Sequence, residues 1–318
     1  MQNLMDPTIL FFIFGVLAGA IRSNLEIPPA IAKFLSLYLL MALGLKGGFA
    51  LAESGLSGEI IISLSIAIVM SFVVPALGYQ WLKSRCSKFD AAAIAASFGS
   101  VSAVTFVTAI QYVEQQGIVT NGYMAIALVI MESPAIIMAV LLANMLRQSH
   151  QESQSVSLKH ILHESFTDGA HLLLLASMAI GFISGEAGEA MMKPFSGDLF
   201  KGMLAFFLLD MGLLVAKNFK QARQNSWQLI GYSIIGPGVH ASIALVLCFV
   251  LGVSLADTIL LMVLAASASY IVVPAVLREA IPEANPSVYF GLSIGITFPI
   301  NIMIGIPIYT FFARLIMS

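Results

Sequence analysis

The sequence predicts an all-α polytopic membrane protein: ten transmembrane helices arranged as a 5+5 inverted-topology repeat, with discontinuous helices 4 and 9. Three observations predict it. The 318 residues are 59% hydrophobic and only 10% charged, whereas a soluble domain carries roughly 25% charge. Apolar stretches long enough to cross a bilayer follow one another along the chain, and mean hydropathy is +0.94. Landmarks of the first half return in the second at a nearly fixed spacing. Charges this sparse could not coat a globule, which excludes a soluble enzyme, a disordered chain and a secreted disulfide scaffold.

The remaining composition narrows the class further. Fifteen Lys+Arg against 17 Asp+Glu leaves no basic excess for nucleic acid. Cys86 and Cys248 provide no metal or disulfide framework. Cys248 sits in an apolar run, as a buried inert thiol would. No nucleophile–base pair or metal motif points to an enzyme, and no cofactor is expected.

Breaks at charges and turn residues place the spans at about 7–22, 30–50, 60–82, 91–113, 122–146, 168–185, 199–217, 228–251, 256–279 and 287–315. The first follows Asp6-Pro7 with no basic n-region, so it reads as a retained helix and not a cleaved signal peptide. The longest connection, Arg147 to Thr167, is polar and holds His150, His160 and His163, which read as solvated. It divides the chain into a first repeat (1–147), a linker (148–167) and a second repeat (168–318). Loops after odd-numbered spans hold Arg22, Lys33, Lys83, Arg85, Lys88, Arg147, Lys159, Lys217, Lys220, Arg223 and Arg278, and the other side holds only Lys46, Lys193, Lys201 and Arg314. This bias predicts a cytoplasmic linker and external termini. Trp81 and Trp227 then fall at cytoplasmic helix ends, as an interfacial belt requires.

Five crossings per half force the second half to be inverted. Gly44 in span 2 matches Gly212 in span 7, Asp90 at the start of span 4 matches Asp257 at the start of span 9, and Pro134 matches Pro299. The offset drifts only from 168 to 167 to 165 along these pairs. On that register Ser100 and Ser102 fall on Ser267 and Ser269. Inverted repeats are the architecture of secondary transporters, whose sites form where helices break at the midplane. The segments 97–108 (SFGSVSAVTFVT) and 265–274 (AASASYIVVP) have the required Ser, Thr and small residues, and Pro274 lacks a donor inside span 9. Such residues also serve close helix packing. Half-helix N-termini suit a small anion and hydroxyl oxygens suit Na⁺. The expected anion contacts are Ser102, Ala103, Val104, Thr105, Ser269 and Tyr270. The expected cation contacts are Ser100, Ser267, Ser269, Glu132 and Asn301.

Glu132 and Asp210 lie well inside spans, and intramembrane acids default to function. Glu132 precedes Pro134, which loosens its helix, and Asn301 beside Pro299 is its pseudo-symmetric neighbour, expected to complete the same polar cluster. Asp210 has no evident partner. His240, after Gly236-Pro237-Gly238, reads as a packed histidine, and Lys46 and Glu53 as interfacial.

These residues also carry a resemblance. The run IPPAI…LLMALGLKGGFAL, the segment FGSVSAVT, and above all IPEANPSVYFG within Arg278–Gly291 resemble the sodium-dependent bicarbonate transporter family over essentially the whole chain. The resemblance implies a core domain (helices 3–5 and 8–10) and a gate domain (helices 1, 2, 6 and 7), with bicarbonate at the crossed helices 4 and 9 and Na⁺ nearby. It implies a homotrimer in the bacterial inner membrane and a PII-like cytoplasmic regulator. Phe98, Gly99, Val101, Ser102 and Thr105 match the helix 4 motif; Ser267, Ser269, Pro274, Leu277 and Arg278 match the helix 9 motif; Glu132 stands where the family has an Asp. The chain departs from the family at Ala103-Val104 (Gly-Ser), at Tyr270 (Asp) and at Val272-Val273 (Ser-Gly). The expected function is therefore Na⁺-coupled symport of a small monovalent anion, bicarbonate first. The rival is proton-coupled transport of a small organic acid through Glu132. A channel or sensor would have no need of a repeat.

Overall fold

Prolines and short polar caps set where the helices begin. The computed structural model describes residues 6–55, 58–149 and 169–317, and among these every regular element is helical. α1 (Pro7–Ala20) opens with Pro7 under an Asp6 cap that accepts the Thr8 N–H at 2.7 Å. A proline fits there because the first N–H of a helix has no partner anyway. α2 (Pro29–Ser54), α3 (Gly58–Leu82), α4 (Lys88–Gly99), α5 (Ala103–Gln115) and α6 (Met124–Ser149) follow. The second half holds α7 (Gly169–Lys193), α8 (Phe200–Ala222), α9 (Trp227–Leu251), α10 (Leu255–Ala266), α11 (Val272–Ala280) and α12 (Pro286–Met317). Ser87, Ser226, Ser254 and Asn285 cap α4, α9, α10 and α12 with their side-chain oxygens.

Seven helical runs among the described residues are long and apolar enough to cross a membrane: α2, α3, α4–α5, α6, α7–α8, α9 and α12. α1 and α10 are shorter apolar helices. The α7–α8 run covers 51 residues. A straight helix of that length would reach about 77 Å, more than twice the roughly 30 Å hydrocarbon core. Gly185, at φ +52°, redirects the chain inside it. The sequence places the end of the sixth span at residue 185, but helical structure continues to Lys193 beyond this kink. α12 is also not uniform: it widens at Ser293–Thr297 and Asn301–Gly305, on either side of Pro299. The linker from His150 through Asp168, with His160 and His163, lies outside the described residues.

The α4–α5 run is the innermost, with 94% of its apolar window buried against 39% for α9. α3 packs on α4 and α6, α9 packs on α10, and α10 on α5 and α12. α1 lies along α8, and α2 along α7. Glycines make both of these crossings. A Cβ at Gly15 would fall 2.3 Å from Leu209 O, and one at Gly212 would fall 2.2 Å from Phe12 O. At the other crossing a Cβ on Gly48 would fall 2.1 Å from Met178 O, and on Gly181 2.6 Å from Leu45 O. Lipid offers no hydrophobic drive between helices, so such backbone contact supplies the dispersion energy instead. α8 also reaches α2 and α12, which ties the paired helices to the rest.

A buried arginine secures one end of the molecule. Arg147, in the last turn of α6, donates from Nε to Glu283 Oε1 at 2.6 Å and from Nη2 to Oε2 at 2.7 Å. It also donates to Ala280 O at 3.0 Å and Asn144 Oδ1 at 3.1 Å. The Arg147 hydrogen bonds hold the Glu283 carboxyl below the usual carboxylate range, against an opposing effect of burial. Cys86, in the α3–α4 loop, is pushed up to about 11 by burial and by Asp90, so its thiol stays protonated and inert.

Gly212→Ala should cost about 1–3 kcal/mol by overpacking, read as a lower melting temperature in detergent. Glu283→Gln should cost a comparable amount, because bonds to a charged group are worth about 1.5–3 kcal/mol. A depressed carboxyl stabilises the fold above its unfolded pKa, and that contribution is lost as pH falls through the lowered value. The stability gap between the wild type and Glu283→Gln should therefore be full at neutral pH and close only as pH falls through the lowered Glu283 value, below the usual glutamate range.

Candidate functional site

Two interruptions of the helical backbone meet inside the molecule. α4 runs for 12 residues before Ser100 takes an extended conformation, and α5 starts at Ala103. α10 also runs for 12 residues before Ser267 turns extended, and α11 starts at Val272. Twelve helical residues rise about 18 Å, so both interruptions fall near the middle of a roughly 30 Å core.

Their freed backbone groups are satisfied mutually. Ser102 N donates to Ser267 Oγ at 3.0 Å, and Ser269 N donates to Ser97 O at 2.7 Å. Each interruption also caps the helix that follows it. Ser102 Oγ accepts from Thr105 N at 3.2 Å and from Thr105 Oγ1 at 3.0 Å. Ser269 Oγ accepts from Val273 N at 3.3 Å. Ser267 Oγ donates back to Leu264 O at 2.8 Å. Pro75 inside α3 packs on the last turn of α4 so closely that a Cβ on Gly99 would fall 2.5 Å from its Cδ.

A cavity of about 70 Å³ opens where α5 and α11 begin. A single water needs only about 10–15 Å³ on this measure, so the space suits a small ion with a few waters and not a bulky solute. Ser102, Ala103, Val104, Ser269, Tyr270 and Glu132 line it. These six, all expected at the site from the sequence, therefore line one cavity together with Val101. Thr105 is buried one turn into α5, with its hydroxyl turned to the Ser102 cap. Ser267 is buried at the crossing itself. Ser97 and Ser100 are fully buried, and their hydroxyls have no hydrogen-bond partner among the described residues.

Asn301 sits elsewhere. It does not line the cavity with Glu132; its amide donates to Ala266 O at 2.8 Å, the last carbonyl of α10, and accepts from Tyr309 OH at 2.9 Å. Asp210 is half-buried on α8 and does not line the cavity either. His240 is buried beside Tyr232, with ring centroids 6.2 Å apart, as expected of a packed histidine. Lys46 pairs with Glu114 at 3.8 Å and lies over the Phe200 ring.

Several participants escaped the sequence. Ser36 and Leu40 of α2 and Ala170 of α7 close the cavity from the opposite side. Met211 of α8 receives the Tyr270 hydroxyl at 3.8 Å. The cavity therefore lies between the broken helices and the glycine-paired ones. Asp257, used above only as a register landmark, is a fully buried acid. It accepts from Asn121 Nδ2 at 3.1 Å and from the Tyr123 hydroxyl. An acid at the first turn of an apolar helix was a legible signal for it.

The arrangement has a definite electrostatic character. Two helix N-termini, each worth about half a positive charge, converge with one carboxylate on a small space. An oxyanion would meet N–H groups and hydroxyls, and a cation would meet Glu132 and serine oxygens. Among the described residues no group of three or more His, Cys, Asp or Glu could hold a metal ion.

Ser267→Ala would leave the buried Ser102 N–H without its acceptor, which should cost about 1–3 kcal/mol. Thermal unfolding in detergent measures it, and unchanged melting would mean that Ser102 N has another acceptor.

The sequence profile of the Na⁺-dependent bicarbonate transporter superfamily matches residues 7–314. No curated protein matches the chain.

Proposed function

The chain belongs to the Na⁺-dependent bicarbonate transporter superfamily, and from that premise we propose that it is a Na⁺-coupled symporter of bicarbonate whose site is the cavity between α5, α11 and Glu132. As a member of a transporter superfamily with many apolar helices, it is a multi-pass membrane protein of a non-enzyme family. The observation that carries the site is the convergence on one small cavity of two helix N-termini, each with a first-turn N–H taken up by a serine hydroxyl. In this reading the anion rests on the first turn of α5, within reach of Ser102, Thr105 and Ser269. Na⁺ uses oxygens from Ser100, Ser267 and Ser269, with Glu132 supplying charge. Asn301 acts indirectly, by holding the end of α10.

Energetics favour coupling. Moving one anion into a negative-inside cell costs about 2.3 kcal/mol per 100 mV. A co-transported Na⁺ cancels that charge, and its own gradient then drives accumulation.

We read the architecture as ten transmembrane helices in an inverted 5+5 repeat, with α4–α5 and α10–α11 as the discontinuous helices 4 and 9. Equivalent residues doing equivalent work support it. Ser102 and Ser269, 167 apart, each accept an N–H from the first turn of the helix that follows a break. Ser87 and Ser254, also 167 apart, each cap its first half. Asp90 accepts from Asn285 N at 2.7 Å, ahead of helix 10, and Asp257 accepts from Asn121, ahead of helix 5. The glycine crossings obey the same exchange, helix 1 on 7 and helix 6 on 2. Helices 1, 2, 6 and 7 would then form the gate, and helices 3–5 and 8–10 the core that rocks against it. The Lys/Arg bias adds external termini and a cytoplasmic linker, and the family resemblance a bacterial inner-membrane location. The family resemblance extends the proposal to a homotrimer and a PII-like cytoplasmic regulator.

The test is uptake of labelled bicarbonate into proteoliposomes. Accumulation should require an inward Na⁺ gradient; none at any gradient would overturn the proposal. Ser102→Ala and Ser269→Ala should each reduce uptake at least about tenfold, the loss of a bond to a charged group. Glu132→Gln should weaken the Na⁺ dependence more than the anion KM. Uptake that follows pH and ignores Na⁺ would instead assign Glu132 to proton coupling.

A further inference from the structure

We propose that the groove between α3 and α9 binds an anionic phospholipid from the leaflet at its basic end. The groove has a volume of about 510 Å³ and shares no lining residue with the ion cavity. Trp81 and Arg85 come from the end of α3, and Trp227, Gly231, Tyr232 and His240 from α9. Three independent features point to this ligand.

The first is shape. A Cβ on Gly231 would meet nothing within 4 Å, so the trough is open above it. Leu77, Ile235 and Val239 make its deeper walls apolar. A soluble anion would gain nothing from those walls, whereas an acyl chain fits them.

The second is charge. The chain has no Asp or Glu between Glu59 and Asp90, nor between Asp210 and Asp257. Those same stretches hold Lys83, Arg85, Lys88, Lys217, Lys220 and Arg223. Arg85 is exposed, its guanidinium stands 3.8 Å from the Trp81 ring centroid, and no salt bridge engages it among the described residues. Its Nη1 donates to the Trp81 carbonyl and to Ser84 Oγ, which leaves Nε and Nη2 for phosphate oxygens. Trp227, 79% exposed at the same end, marks the interfacial level.

The third is a pair of unsatisfied polar atoms. Tyr232 Oη and His240 Nδ1 are buried in the groove with no hydrogen-bond partner among the described residues. Buried polar atoms are normally paired. Tyr232 lies five residues inside Trp227, about 7–8 Å down the helix. A phosphate held at Arg85 puts the glycerol ester carbonyls at that depth; the Tyr232 hydroxyl is packed on Gly78 behind the groove surface and would donate to one once its ring turns outward.

The groove also connects to the broken helix. Tyr232 stacks on Trp81 at 5.4 Å and packs against Phe98 at 5.0 Å. Phe98 is two residues before Ser100, where α4 ends. A lipid seated here would buttress the interruption from behind.

Delipidated full-length protein in mild detergent would be titrated with phosphatidylglycerol or phosphatidylcholine. Lipid retained per chain after washing is counted by mass spectrometry, and melting is followed in parallel. Phosphatidylglycerol should be retained in preference and should raise the melting temperature. Arg85→Gln should cut retention about fivefold, the worth of one basic residue near a lipid surface. Tyr232→Phe should weaken it while preserving the aromatic stack. Lys33→Gln, a basic residue outside the groove, should change nothing. Equal retention of both lipids, or equal losses in Arg85→Gln and Lys33→Gln, would overturn the site. The same melting rise from inorganic phosphate or glycerol phosphate alone would overturn the lipid in favour of a soluble anion.

Discussion

Two backbone amides in the middle of a membrane protein cannot be left unpaired. Lipid offers no hydrogen bonds, and each exposed amide there costs several kcal/mol. Ser102 N and Ser269 N lie where the helical ladder is broken, and each is satisfied across the gap by the other interruption. The neighbouring sequence follows from that constraint. Small residues let the two segments touch, and serine hydroxyls replace the missing helical partners. Asn301 takes the carbonyl that α10 leaves open at Ala266. The innermost position of α4–α5 follows too, since only protein on all sides can shelter an irregular backbone.

The same constraint determines what the cavity can hold. Once the breaks satisfy each other, the N-termini of α5 and α11 still offer a positive dipole end to whatever lies in front of them. Glu132 faces that end from α6. A site with partial positive charge on one side and a carboxylate on the other is close to neutral overall. On the proposed reading, it would take an anion and a cation together with less desolvation cost than either alone. Tyr270 shapes this space by filling it with a ring and spending its hydroxyl on Met211. The wall contributed by α2 and α7 has few polar groups, with Ser36 the hydroxyl among its lining residues.

How much of this was legible depended on whether a residue signalled its own environment. Ser100, Ser102, Ser267 and Ser269 were legible because hydroxyls recur at equal spacing in two apolar runs, although close helix packing alone would also use them. Glu132 was legible because a membrane acid is costly. Ser36, Leu40, Ala170 and Met211 were not, since each is an ordinary helix residue until another helix is laid against it. Asn301 was expected beside Glu132, but it is buried away from the cavity with its amide on a carbonyl of α10, and no residue pattern in the chain hinted at that partner. Gly185 looked like any glycine of an apolar helix; its positive φ is a tertiary fact. Arg147 counted only as a loop charge until the chain near Glu283 folded back to meet it.

The glycine crossings bear on how the protein tolerates change. At most protein contacts a bulky substitution on one side can be relieved by trimming the side chain opposite. At Gly15 and Gly212, and again at Gly48 and Gly181, the opposing surface is backbone oxygen and glycine Cα. Nothing there can be trimmed. These positions should lack local second-site suppressors, so relief can come only from moving a whole helix, and the paired helices are held to one spacing across generations as firmly as within a single molecule.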